Sequence, residues 1–238
     1  MSSSVFRFKQ FSVDQSGCAM KVNTDGVLLA TLTEAQDPEH ILDIGTGTGV
    51  MSLILAQRFP TALIHAVEIE ETAAFRASEN FKKSTFANRL KVYSQSFEDY
   101  FSENPEQQYD LIISNPPFFI DSLKSGDTAK SIARHTDKQF FEKLLLQAKV
   151  HLKLKGTLSL IIPVELVPLI QKLAGQNHLY LKNQIDIHSF AHSMPHREIL
   201  SLGFEPAELR SEKFVIYERP KEYSAEYVHL LKDFFTIF

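Results

Sequence analysis

With 238 residues, a formal charge of -4 and 44% hydrophobic residues, the chain has the length for one large α/β core and is short for two. One cysteine, Cys18, excludes a disulfide framework, and without a basic-then-apolar leader or a membrane-length apolar run a cytoplasmic protein with no membrane partner is expected. The slight acidity argues against a nucleic-acid coat over the whole surface but allows a local basic patch on an acidic body.

The opening segment FRFKQFSVDQ (6–15) alternates apolar and polar residues and is expected to form a small hairpin, followed by a helix capped by Thr24 or Asp25. Short, almost continuously apolar runs come next: HILDIG (40–45), LIHAVEI (63–69), YDLIIS (109–114) and TLSLIIP (157–163). This is the pattern of strands covered on both faces. Helical stretches separate them. VMSLILAQR (50–58) places Met51, Ile54, Leu55 and Arg58 at helical spacing, and Thr136 with Gln139 reads as a capping box that opens DKQFFEKLLLQAKV (137–150), with Gly156 closing that helix. Repeated β-then-α units imply a parallel, doubly wound sheet.

After about residue 178 the pattern changes, and QIDIHSF, REILSLGF and EKFVIYE read as antiparallel strands at one sheet edge. The aromatic segment YVHLLKDFFTIF is expected to dock on them or to supply a dimer face, so a monomer or weak homodimer is expected. The whole is read as one domain, 1–238. Residues 1–35 form the hairpin and first helix, 36–178 the core, and 179–238 the edge strands and last helix.

The first chemical motif is LDIGTGTG (42–49). Gly45, Gly47 and Gly49 stand where a buried strand turns into a helix, and glycine lets backbone N–H groups approach a ligand closely. Roughly twenty residues on, the second strand ends in Glu68, placed to accept two ribose hydroxyls. The blander reading is a tight turn followed by a surface glutamate. Val50 stands where the dinucleotide fingerprint needs glycine or alanine, which disfavours NAD. Asp43, just before the glycines, suits a ligand with an ammonium and a sulfonium, because a buried carboxylate would repel a phosphate. From 40 to 163 the sequence resembles the class I S-adenosylmethionine-dependent methyltransferases. That resemblance implies a Rossmann-like α/β fold, a mostly parallel seven-stranded sheet with antiparallel edge strands, and S-adenosyl-L-methionine as cofactor, released as S-adenosyl-L-homocysteine.

NPPF, Asn115 to Phe118, closes the fourth strand and matches the (Asp/Asn/Ser)-Pro-Pro-(aromatic) signature of methyltransferases acting on planar nitrogens. Such a nitrogen is a poor nucleophile because its lone pair is delocalised. Two acceptors, the Asn115 side-chain oxygen and the Pro116 carbonyl, can hold its two hydrogens and favour a tetrahedral geometry. Pro116 and Pro117 keep the acceptors rigid and Phe118 offers a stacking face. Taken alone, the motif also fits a proline turn with a core phenylalanine.

Four segments together resemble the tRNA1(Val) adenine-N6 methyltransferase family: FKQFSVDQSGCAMKVNTDGVLLA, SNPPFF, ARHT (133–136) and KFVIYERPKEYSAEYVHLLKDFF. The likeness spans nearly the whole chain and implies methylation of the adenosine 3′ of the anticodon in a valine tRNA. It also implies that KVNTDG walls the cofactor pocket, with Lys21, Thr24 and Asp25 near the methionine moiety or the target base, although the hexapeptide also reads as a helix cap. In place of the aspartate that many methyltransferases carry after the third strand stands Ser96. The backbone around Ser96 and Phe97 is therefore expected to meet the cofactor's adenine, with Phe97 on its ring or in the core.

Between Lys124 and Lys155 eight lysines and arginines face three acids. Lys124, Lys130 and Arg134, in a polar loop from 120 to 136, are the expected phosphate contacts, unless they mark a solvated helix face. A target amine must be unstacked to be reached, a condition an anticodon loop meets. His192 and His196 are four apart with a proline between them and no acid cluster, so no metal is expected. Rival readings remain: another planar nitrogen, such as guanine N2 in ribosomal RNA or a release-factor glutamine, or a catalytically silent module that binds cofactor and RNA.

Overall fold

The structure, a computed structural model, describes residues 4–116 and 127–238, and for 127–137 the helical backbone only. The four apolar runs form parallel strands: β3 (His40–Ile44), β4 (Leu63–Glu68), β6 (Tyr109–Ser114) and β7 (Leu152–Ile162), with β5 (Leu90–Ser94) beside β4. They belong to a nine-stranded sheet with β8 (Tyr180–Phe190), β9 (Pro195–Gly203), β10 (Arg210–Arg219) and β11 (Glu222–Tyr223), in the order β11-β10-β8-β9-β7-β6-β3-β4-β5. The expected seven-stranded unit is the run from β8 to β5, extended by β10 and β11. One core covers the face holding α1 (Thr24–Leu32), α2 (Val50–Arg58), α3 (Glu71–Lys83) and α7 (Ala225–Leu231), together with the hairpin of β1 (Val5–Arg7) and β2 (Ser12–Asp14). The other core packs α4 (Phe97–Glu103), α5 (Asp127–His151) and α6 (Val167–Gln176).

Four local expectations are corrected. Asn23, not Thr24 or Asp25, caps α1: its Oδ1 accepts from the Gly26 N–H at 2.8 Å. The backbone of α5 is already helical at Asp127, so Thr136 lies inside the helix and residues 127–136 are no loop. Gly156 does not end that helix but sits within β7, where pairing to β6 shifts register and a Cβ would stand 2.8 Å from the Tyr109 carbonyl oxygen. The late strands are not all antiparallel. β9 runs against both β7 and β8, but β10 returns on the far side of β8 and is parallel to it. Alternating residues report one buried and one open face, and they say nothing of strand direction.

The turn from β3 into α2 is built from below. Asp43, fully buried, accepts from the Thr46 hydroxyl at 2.6 Å and the Ser52 hydroxyl at 2.7 Å through Oδ2. Among the described residues its Oδ1 has no hydrogen-bond partner, and burial pushes the carboxyl up to about 6. Gly49 has φ +88°, and a Cβ there would stand 2.5 Å from Cε1 of Phe81 on α3.

Gly49→Ala is expected to destabilise the fold by about 2–5 kcal/mol, combining the left-handed backbone cost with overpacking on Phe81. Urea unfolding checks this, and an unchanged midpoint contradicts it. For Asp43, the folded chain keeps a proton that the unfolded chain releases between the ordinary carboxylate range and about pH 6. Stability contributed by this group therefore falls as pH rises through that window, by about 3 kcal/mol. Asp43→Asn keeps an acceptor for both hydroxyls and removes the titration. Its stability relative to the parent is expected to improve by that order between pH 4 and pH 7, whereas parallel curves contradict the assignment.

Candidate functional site

At the carboxyl ends of β3 to β6 opens a cavity of about 390 Å³, bordered by Gly45, Gly47, Glu68, Phe97, Asn115 and Pro116. Carboxyl-edge crevices of open α/β sheets are where such folds hold ligands. No atom lies within 4 Å of the place a Cβ would occupy on Gly45 or Gly47, so a ligand can lie directly on this backbone. Glu68, the last residue of β4, is held at both oxygens: Oε2 accepts the Gly47 N–H at 2.8 Å and Oε1 the Glu70 N–H at 2.9 Å. Each oxygen keeps further acceptor capacity for a diol.

Beyond β5, Ser96 caps α4: its hydroxyl accepts from the Asp99 N–H at 3.0 Å and donates to the Asp99 carboxylate at 2.7 Å. That cap turns the backbone of Gln95, Ser96 and Phe97 along the cavity wall. Phe97 is 7% exposed, packs edge-on to Phe140 at 5.5 Å between ring centres, and lines the cavity as well as the core. Phe97 is thus a core residue that also borders the cavity. At the same wall stand two apolar side chains left bare, Ile69 at 72% and Met20 at 54% exposure. A bound ring system would cover them.

Asn115 follows β6 directly and borders this cavity and a smaller one of about 50 Å³ that Lys21, Asn23 and Gly26 share. Its amide nitrogen points to Asn23 Oδ1 at 3.4 Å, and among the described residues the Asn115 side-chain oxygen has no hydrogen-bond donor. Pro116, the next residue, is buried.

Of the residues singled out by sequence, Gly45, Gly47, Glu68, Ser96, Phe97, Asn115 and Pro116 line the larger cavity, and Lys21 lines the smaller one. Asp43 and Gly49 line neither. Asp43 lies beneath the loop and holds it, and Gly49 faces Phe81. Thr24 and Asp25 also fall outside both, because the cap at Asn23 places them in the first helical turn, where successive residues rotate away from one another. Asp25 pairs with Arg197 of β9 at 2.8 Å. Pro117, Phe118 and Lys124 lie outside the described residues, and Lys130 and Arg134 lie where only backbone is described.

The sequence reading missed Asn23, Met20, Ile69 and Phe140. A signal existed for Asn23, since asparagine before Thr-Asp-Gly is a favoured cap. Ile69 was marked by an apolar residue directly after the strand-ending acid. Phe140 came from a distant helix with no local sign. Among the described residues no group of three or more His, Cys, Asp or Glu could hold a metal ion.

Residues 18–179 match the family described as methyltransferase small domain. A tRNA1(Val) (adenine(37)-N6)-methyltransferase of Pedobacter heparinus is 44% identical over 233 residues, 98% of each chain, and one of Bacteroides fragilis is 39% identical over 235 residues, 99% of each chain. Among solved structures, a protein described as a predicted O-methyltransferase from Agrobacterium tumefaciens superposes with a TM-score of 0.67 at 17% identity, over 88% of this chain and 96% of that one. The methyltransferase domain of METTL16 gives 0.58 at 20% identity over 79% and 86%. These structural likenesses carry the fold; the full-length relatives carry more, and by them the chain belongs to the tRNA1(Val) (adenine(37)-N6)-methyltransferase family.

Proposed function

We propose that this chain transfers a methyl group from S-adenosylmethionine to the exocyclic N6 of an adenosine in tRNA, the one 3′ of the anticodon in a valine tRNA, and releases S-adenosylhomocysteine. The observation that carries this reading is Asn115, set at the end of β6 between two cavities, with no hydrogen-bond donor on its side-chain oxygen among the described residues. The named activity of full-length relatives supports the choice of target.

The larger cavity has the chemistry the cofactor needs. Glu68 would take the ribose hydroxyls, the backbone of Gly45 and Gly47 the methionine end, and Ile69, Phe97 and the Gln95–Ser96 backbone the adenine. When bound, S-adenosylmethionine supplies an electrophilic methyl on a sulfonium. Asp43 is read as a positioning residue, acting through Thr46 and Ser52 on the glycine loop.

Asn115 Oδ1 and the Pro116 carbonyl would each accept one hydrogen of the target amine. Together they turn its lone pair out of the ring plane and hold it for in-line attack. No strong base is needed, because the nitrogen is acidic once it carries the positive charge, and the two acceptors already hold its protons. Asn23 holds the Asn115 amide in the orientation that presents oxygen to the substrate. Lys124, Lys130, Arg134 and the stacking face of Phe118 remain part of the proposal as RNA contacts. The reading assigns all of 1–238 to one methyltransferase unit acting in the cytoplasm as a monomer or weak homodimer, and no described helix is long and apolar enough to cross a membrane.

Labelled-cofactor transfer to tRNA from cells lacking this protein, followed by nucleoside mapping, tests the activity. N6-methyladenosine beside the valine anticodon is expected, and label on protein or on guanine overturns it. Asn115→Ala is expected to lower kcat about 100- to 1,000-fold while the cofactor Kd changes less than about tenfold. Glu68→Gln is expected to do the reverse, raising the cofactor Kd about 10- to 100-fold, the size of a lost charge-assisted hydrogen bond. Calorimetric binding and single-turnover rates separate the two, and equal effects on both constants contradict the assigned roles.

A further inference from the structure

Asn23 also borders a third cavity, of about 300 Å³, between the N-terminal hairpin, the start of α1 and the C-terminal segment. Its walls include Phe6, Arg7, Asn23, Tyr223, Tyr227 and Phe235. We propose that this cavity receives the base of a nucleotide next to the target adenosine in single-stranded RNA. The inference rests on the methyl-transfer reading above and extends it from the reacting base to its neighbour.

Three observations carry it. The first is position. β10 runs parallel to β8 and the core strands, so its carboxyl end lies on the same sheet edge as Asn115, and Tyr223 of β11 pairs opposite Tyr217 near that end. One side chain, Asn23, borders both this cavity and the small one at Asn115, and touches Asn115 at 3.4 Å. The cofactor cavity lies over β3 to β5, so this one opens on the opposite, substrate side.

The second is the wall. Tyr223 stacks on Tyr227 with ring centres 4.7 Å apart and 10° between planes, and Tyr217 continues the stack at 5.2 Å and 20°. Phe238 packs edge-on to both Tyr223 and Tyr227. These contacts immobilise one side of the cavity before any ligand arrives, while Phe6 and Phe235, half-buried, form the other side. Flat apolar walls of this kind accept a base of any identity.

The third is the set of bare donors. Arg7 has no ion pair among the described residues. Neither the Tyr227 hydroxyl, which is not among the sealed unpaired atoms, nor the amide nitrogen of the exposed Asn23 has a hydrogen-bond partner among the described residues. An apolar peptide would leave all three unpaired. A nucleotide brings acceptors at its ring edge and a phosphate for the guanidinium. A target base that leaves its stack also leaves its neighbour unstacked, and that neighbour needs a new surface.

The test uses the full chain, an anticodon stem-loop and a series of loops carrying one abasic nucleotide at each position flanking the target. With the parent enzyme, one abasic position is expected to lower kcat/KM about tenfold. With Arg7→Ala combined with Tyr227→Phe, the intact loop is expected to react about tenfold more slowly, and that same abasic position to cost less than about twofold, the signature of a shared contact. Cofactor Kd within twofold of the parent excludes a folding defect, and Tyr227→Phe alone keeps the wall while removing only the hydroxyl. If every abasic position costs the same in parent and variant, the cavity is no nucleotide site and the inference falls. If the parent places no methyl on the intact loop, the methyl-transfer reading falls first and takes the inference with it.

Discussion

The Ser114 hydroxyl donates to the Ile44 carbonyl at 2.9 Å, and on that cross-strand tie the site depends. β3 and β6 are adjacent and parallel, with Ile44 opposite Ser114, so their carboxyl ends leave the sheet side by side. The residues beyond the two ends differ in chemistry. β3 runs into glycines that give up side chains to expose backbone, and β6 into an amide and a proline that fix two acceptors. Parallel pairing therefore brings the glycine loop and the Asn115–Pro116 pair to one crevice, although they lie far apart in sequence. Neither half alone makes a methyl-transfer site.

The proposal divides the crevice by function along the sheet edge. Toward β5 lie Glu68, Ile69 and the capped turn at Ser96, which suit an adenosine. Toward β10 lie Asn23, Arg7 and the tyrosine stack, which suit RNA. Asn115 stands at the boundary, and its amide is oriented by the residue that caps α1. In the proposed reading, the N-terminal hairpin and α1 would stand between the cofactor and substrate sides. The two strands added beyond the seven-stranded unit, β10 and β11, extend the substrate side and bring Tyr217 and Tyr223 to it.

Much of this was legible in the sequence because it is local. The glycine loop, Glu68 at a strand end and Asn115 directly after a strand each announce themselves within a few residues, and buried parallel strands read as continuous apolar runs. What escaped depends on tertiary partners. Gly49 and Gly45 look alike in a motif, yet one is required by the Phe81 ring of α3 and the other faces the cavity. Asp43 carries an acid's signature, and the sequence did not show that its Oδ2 would be taken up by the Thr46 and Ser52 hydroxyls beneath the loop. Thr24 and Asp25 compete with Asn23 because all three residues make good caps, and only the backbone shows which one stands outside the first turn. Gly156 resembles a helix stop because glycine serves helix ends and strand bulges equally well.

The central claim is geometric: the amine of an unstacked adenosine lies between the Asn115 side-chain oxygen and the Pro116 carbonyl, facing the cofactor. A crystal structure of the chain with S-adenosylhomocysteine and an anticodon stem-loop tests it most directly. The account requires N6 within roughly 3 Å of both oxygens, with the thioether sulfur on the side of Gly45 and Glu68. An adenosine bound elsewhere on the surface, or a thioether outside the crevice between β3 and β6, contradicts it.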